Sequence, residues 1–78
     1  MSKLDEWIKI YEENLVKAVI EHPDLYGWPV EQAHNVALKM RIAFENGSFN
    51  KDSLAIRTTC KHFGIKFTHA SIKTFLKG

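Results

Sequence analysis

The feature that most constrains the fold is helical periodicity, which runs along almost the whole chain. Apolar residues recur three and four positions apart, as they do on one face of an α-helix. Pro23, Gly47 and Gly64 each follow such a run, and proline and glycine are residues that end helices. We therefore predict an all-α fold, a small bundle in which residues 1–78 form a single domain. Four helices are expected, near residues 3–21, 29–46, 51–63 and 69–77.

The first predicted helix begins with a capping box and is apolar around much of its circumference. Ser2 and Asp5 have the spacing at which each side chain can bond the backbone N–H of the other residue. The main apolar stripe consists of Leu4, Ile8, Tyr11, Leu15, Ala18 and Val19. A helix with so much apolar surface is usually buried on more than one side. We expect it to lie between the second and fourth helices.

Some apolar residues fall outside the main stripes of the first two helices. They are Ile10, Val16 and Ile20 on the first helix and Leu38 and Ile42 on the second. A chain of 78 residues has limited surface with which to cover them. The pattern therefore predicts a homodimer, with burial inside one chain as the alternative.

The connection at residues 22–29 is unusually apolar, because Leu25, Tyr26 and Trp28 lie between its two prolines. In one interpretation these side chains fold back and close the open end of the bundle. In the other they form a protein-binding surface, since Tyr and Trp are favoured anchors at interfaces.

Residues 50–78 have the pattern of a helix, a turn and a second helix. Gly64 stands where a left-handed residue ends a helix, and Thr68 is a good N-cap for the helix that follows. A small residue, Cys60, lies four positions before Gly64, and Ile65 follows it, so the segment resembles a DNA-binding helix-turn-helix. The turn is longer than in that motif, and the last helix has few of the side chains that read bases.

The two halves of the chain carry opposite net charge. Residues 1–46 hold five Lys or Arg against eight Asp or Glu, a net charge of −3, whereas residues 47–78 hold six against one, a net charge of +5. Such asymmetry is typical of a nucleic-acid surface, and attraction between the halves is the alternative. The candidate nucleic-acid contacts are Lys51, Arg57, Lys61, Lys66, His69, Lys73 and Lys77.

No arrangement of residues predicts catalysis. His22, His34, His62 and His69 lack the spacing of metal ligands. Cys60 falls on an apolar helix face, where a cysteine acts as a small hydrophobic residue, so we predict a structural role for it. The glycines are isolated and form no phosphate-binding loop. We expect no enzyme activity, no cofactor and no metal.

The expected location is the cytoplasm. No apolar run approaches the roughly 18 residues that a membrane-spanning helix needs, and no signal-peptide pattern opens the chain. A single cysteine allows no disulfide within the chain, which fits a reducing compartment. We expect no membrane partner.

The C-terminal residues also resemble a known family. The matching elements are Gly47-Ser48, Asn50-Lys51-Asp52, Ala55-Ile56-Arg57, Thr59-Cys60-Lys61, Gly64-Ile65-Lys66, Thr68, Ile72 and Phe75-Leu76. This run resembles the C-terminal signature of a family of short helical proteins from tailed phages and prophages. The resemblance implies a small phage protein that acts in the host cytoplasm, and it implies no particular activity.

Two classes of function follow from these observations. The first is a small phage-type nucleic-acid-binding protein that uses its basic, helix-turn-helix-like C-terminal half. The alternative is a protein-binding module that occupies or inhibits a host protein or defence complex. The feature that distinguishes them is whether the cations converge on one face of the bundle.

Overall fold

The structure is a computed structural model, and it describes residues 2–46 and 54–77. Within these ranges the chain is all-helical, with no strand. The elements are α1 (Lys3–Glu21), α2 (Pro23–Tyr26), α3 (Gln32–Glu45), α4 (Leu54–Phe63) and α5 (His69–Lys77). The all-α prediction is confirmed, and α1 and α5 have the predicted bounds. The predicted start of the third helix, at residue 51, lies outside the described residues.

The region around the two prolines differs from the prediction. The connection at residues 22–29 contains the one-turn helix α2, which begins at Pro23 and ends at Tyr26. Gly27 follows it with a left-handed φ of 44°. The next helix begins at Gln32 rather than at Pro29, because a turn comes first, in which the Gln32 N–H donates to the Pro29 carbonyl at 3.0 Å. Proline fits the first positions of both segments, because the backbone N–H that it lacks would have no hydrogen-bond partner there.

Both terminal helices begin with the side-chain caps that the sequence predicts. Ser2 Oγ accepts from the Asp5 N–H at 3.1 Å, and Asp5 Oδ2 accepts from the Ser2 N–H at 3.3 Å. In α5, Thr68 Oγ1 accepts from the Ser71 N–H at 3.1 Å. These bonds satisfy N–H groups that the first turn of a helix leaves unpaired.

A Schellman motif ends α4 and sets the direction of the turn that follows. The Ile65 N–H donates to the Cys60 carbonyl at 3.0 Å, and the Gly64 N–H donates to the Lys61 carbonyl at 3.2 Å. Gly64 has a φ of 68°, a left-handed conformation that glycine adopts without the steric cost of a Cβ.

Helix α1 is the central element and packs mainly against α3 and α4. Both run antiparallel to it. Arg41, late in α3, pairs with Asp5 at the start of α1, while Leu54 at the start of α4 lies near Ala18 in the second half of α1. The prediction that α1 lies between α3 and the last helix is therefore wrong, because α4 takes that place. The reason is that α4 buries four residues, whereas α5 fully buries only Ile72.

The core forms where α1 meets α3 and α4. Its centre is Trp7, which is fully buried, stacks on Tyr11 at 5.5 Å and meets the edge of Phe44 at 4.5 Å. The other buried members of this cluster are Ile8, Leu15, Ala33, Ala37, Ala55, Ile56, Cys60 and Ile72. Three of them are alanines, which allow the helix backbones to approach closely.

Helix α5 closes the end of the bundle at which α1 begins. The ring of Phe75 lies 5.0 Å from that of Phe63, the last residue of α4, and Lys3 Nζ lies 4.9 Å from the centre of the Phe75 ring. Leu76 borders the same groove as Phe44 of α3. These contacts place α5 against three helix ends and leave its remaining sides exposed.

Candidate nucleic-acid interface

The basic half of the protein carries exposed cations and no carboxylate between residues 54 and 77. Arg57, Lys61, Lys66, Lys73 and Lys77 are all exposed. Within the described part of the chain none of the five forms an ion pair. No carboxylate of the described residues is therefore paired with these five charges.

The ion pairs that the structure contains lie in the acidic half. Arg41 of α3 pairs with Asp5 of α1 and with Glu45 one turn farther along α3. His34 Nδ1 lies 2.7 Å from Glu12 Oε1. The Ser2 hydrogen bonds and the Arg41 guanidinium lower the pKa of Asp5. Three carboxylates of this half, those of Asp5, Glu12 and Glu45, thus have their partners within it rather than in the basic half.

Three of the candidate contacts belong to α4 and the turn after it. Arg57 and Lys61 are four residues apart and so share one side of α4. The Arg57 guanidinium lies over the ring of Phe67, 4.9 Å from its centre, which is a cation–π contact. Lys66 immediately precedes Phe67 in the turn. We call Arg57, Lys61 and Lys66 the α4–turn basic surface.

Phe67 is a residue of this site that sequence reasoning missed. The available signal was an aromatic residue next to a lysine in a turn, ten positions after the only arginine of the basic half. That spacing does not predict a contact by itself, because it depends on the direction in which the Gly64 turn sends the chain.

The other candidate contacts in the described residues lie on α5, on the side that borders the end of α3. His69, Lys73 and Lys77 follow each other at four-residue intervals, and His69 is half-buried. Lys73 and Lys77 border a groove of about 370 Å³ with Glu45 at the end of α3. Lys66 instead borders a groove of about 520 Å³ along the Ala70 side of α5. The predicted contacts that the structure describes thus do not converge on one face but divide between two surfaces. Lys51 lies outside the described residues.

The burial of the cysteine thiol and the grouping of the potential metal ligands bear on whether either has a chemical role. Cys60 is buried in the core cluster, and burial raises the pKa of its thiol. This position is what the predicted structural role requires. In residues 2–46 and 54–77, no three His, Cys, Asp or Glu side chains group as metal ligands would.

The aromatic residues of the loop at 22–29 agree with the interpretation in which they close the bundle. Tyr26 and Trp28 are half-buried, pack against the core and meet edge to face at 5.8 Å. Leu25 differs, because 67% of its surface is exposed. The aromatic anchors expected of a protein-binding loop are therefore largely used within the fold.

The clearest exposed aliphatic pair lies on α3. Leu38 is 46% exposed and Ile42 is 58% exposed, and they are one helical turn apart. Of the residues on α1 that prompted the homodimer prediction, Val16 packs against the core and Ile20 is exposed. The sequence identified this α3 pair correctly, and the dimer itself stays a prediction.

In the described parts of the chain, no helix has the length and hydrophobicity required to cross a membrane. Compared with protein-family models, with curated proteins and with solved structures, the chain matches none of them.

Proposed function

We propose that the protein binds nucleic acid through the α4–turn basic surface and catalyses no reaction. The observation that supports this is the set of exposed cations in residues 54–77, with no carboxylate in the same segment. Exposed charges contribute little to folding, whereas a cluster of one sign attracts a polyanion. Arg57, Lys61 and Lys66 would contact phosphate oxygens, as lysine and arginine do in most nucleic-acid complexes.

Lys73 and Lys77 form a secondary set in this proposal. Glu45 borders their groove and lowers the local positive potential. The α4–α5 pair would act as a helix-turn-helix-like unit in which α4 and the turn, rather than α5, hold the backbone of the nucleic acid. Given the resemblance to phage and prophage proteins, the proposed setting is the host cytoplasm.

The test uses the salt dependence of binding. Each neutralised phosphate releases condensed counterions, so the logarithm of affinity falls against the logarithm of salt concentration with a slope of about −0.9 per contact on a duplex. Lys61→Gln/Lys66→Gln should make that slope shallower by about 1.8 and weaken binding. The matched control is Lys17→Gln/Lys39→Gln, which removes the same charge from exposed positions of α1 and α3.

Fluorescence anisotropy with a labelled duplex, measured across a salt series, reports both quantities. We expect the control variant to retain the wild-type slope. Absence of binding by the wild type at low salt would contradict the proposal. Equal losses in the two variants would also contradict it, because only net charge would then matter.

A second candidate function is protein binding through α3, and the exposed pair Leu38 and Ile42 favours it. The partner that we test is a second copy of the chain, because its binding can be measured with the purified protein alone. Sedimentation equilibrium of the wild type should then show a dimer, and Leu38→Gln/Ile42→Gln should be monomeric. A monomeric wild type at high micromolar concentration would contradict this candidate.

A further inference from the structure

We infer that the nucleic acid bound by this protein is double-stranded and that it is bound without regard to its base sequence. This inference rests on the proposed function and specifies its ligand. It follows from the chemistry of the side chains that the basic half exposes and from the contacts that already occupy its arginine and its aromatic rings.

Residues 54–77 lack most of the side-chain types that recognise bases. These types are Arg or Lys for guanine, Asn or Gln for adenine, and Asp or Glu for cytosine, and arginine reads guanine with a fixed planar fork that lysine lacks. Residues 54–77 contain no Asn, Gln, Asp or Glu and a single arginine, Arg57. The remaining cations are lysines, which act as point charges on phosphate.

Arg57, the one arginine of residues 54–77, already has a contact within the protein. Its guanidinium lies over the ring of Phe67, 4.9 Å from the ring centre, and this cation–π contact favours a position against the turn. In that position its edge N–H groups can still reach a phosphate. The contact places the Arg57 charge against the turn that follows α4, and Lys61 lies one turn farther along the same helix.

The hydroxyl groups of the segment are mostly occupied as well. Thr58 donates to the Leu54 carbonyl at 3.0 Å, Thr59 is fully buried, and Thr68 is bonded to Ser71. Hydroxyls that are buried or hydrogen-bonded within the protein contribute little to discrimination between bases.

The aromatic rings disfavour a single strand as the ligand. Proteins that bind single strands stack successive bases on exposed aromatic faces. Here Phe67 is half-buried and contacts the Arg57 guanidinium, and Phe63 and Phe75 contact each other. Phe75 also lies beneath Lys3, and Tyr26 and Trp28 pack against the core. A duplex needs no such platform, and its two strands present about one phosphate charge per 1.7 Å of axis, twice the density of one strand.

The experiment is a competition assay with the full chain. A labelled duplex is displaced at low salt by unlabelled duplexes of equal length, one AT-rich, one GC-rich and one scrambled, and by each single strand. We expect the three duplexes to compete within about threefold of one another, since a single mismatched pair costs a sequence-specific protein about 1–3 kcal/mol, or roughly 5- to 150-fold. Single strands should compete less well.

An RNA duplex and its single strands form a second arm, because both kinds of duplex carry two strands of phosphates. The inference requires that at least one kind of duplex bind more tightly than its own strands. Arg57→Lys, which keeps the charge, should leave the relative affinities of the three DNA duplexes unchanged.

The outcomes separate this inference from the function on which it rests. A preference of more than tenfold for one duplex sequence, or tighter binding of single strands, would overturn the inference while nucleic-acid binding stood. Absence of binding by every probe at low salt would instead overturn the proposed function.

Discussion

One buried hydroxyl joins the central helix to the basic half, and its removal tests how α4 is held in place. Thr59 Oγ1 accepts from Asn14 Nδ2 of α1 at 3.0 Å and donates to the Ala55 carbonyl at 2.7 Å. Thr59 is fully buried, whereas Asn14 is partly exposed. Thr59→Val replaces the hydroxyl by a methyl group of similar size, so the packing shape is kept and the hydrogen bonds are lost.

The size of the effect follows from the groups left without partners. A buried polar group that loses its partner costs about 1–3 kcal/mol. The Ala55 carbonyl keeps its bond within the helix, and the Asn14 amide has some access to water, so we expect a loss of about 1.5 kcal/mol in the free energy of unfolding. In a domain of this size 1 kcal/mol corresponds to about 4–8 °C, so Tm should fall by about 6–12 °C.

The neighbouring threonine provides a matched control. Thr58 donates to the Leu54 carbonyl at 3.0 Å in the same way, but it is exposed and the hydrogen bonds of the structure give it no partner on α1. Thr58→Val should change stability by no more than about 0.5 kcal/mol. Urea and thermal unfolding followed by circular dichroism would measure both variants.

A double-mutant cycle with Asn14→Ala isolates the contact between the two helices. Neighbouring groups in one hydrogen bond should show a coupling free energy of about 0.5–1.5 kcal/mol. If Thr59→Val were as stable as Thr58→Val, or if the two changes were additive, the hydrogen bond would not contribute. Helix α4 would then be held on α1 by apolar packing alone.

Three further predictions concern the helix ends and the thiol. The pKa of Asp5 is lowered by Ser2 and then by Arg41, so its contribution to stability is complete above its unfolded pKa of about 3.9 and is lost as the pH falls through the lower folded value. Asp5→Asn should therefore have a lower urea midpoint than wild type near neutral pH, and the difference between the two midpoints should shrink as the pH falls below that unfolded pKa. Gly64→Ala should lower the free energy of unfolding by about 1–2 kcal/mol. An added Cβ would meet no atom within 4 Å, so the loss comes from the left-handed φ of 68°. An unchanged Tm in thermal unfolding would refute this. Cys60→Ala should lower Tm slightly and leave nucleic-acid affinity unchanged. The wild-type thiol should react with a thiol reagent only as fast as the protein unfolds locally to expose it. Loss of affinity at an unchanged Tm would show a functional thiol.

Local features of the fold were readable from the sequence, because neighbouring residues produce them. The capping pair Ser2 and Asp5, the N-cap Thr68 and the stop at Gly64 each act within about four residues of chain. The one-turn helix α2 escaped prediction because four residues are too few to show a periodic pattern.

The composition of the candidate site was also determined by the sequence. The charge division between the halves and the absence of carboxylates from residues 54–77 do not depend on how the helices pack. Exposure of the lysines followed from the positions of Ile56 and Ile72, because each buried residue sets the inward side of its helix.

Only the tertiary structure decided which charges lie together. Packing of α1 more extensively against α4 than against α5 depends on contacts between residues far apart in the chain, such as Asn14 with Thr59. The direction of the turn after Gly64 then brings Phe67 beneath Arg57, while the placement of α5 against the end of α3 puts Lys73 beside Glu45. A helical repeat shows which side of each helix faces inward, but the neighbour that it meets is set by side-chain packing across the whole bundle.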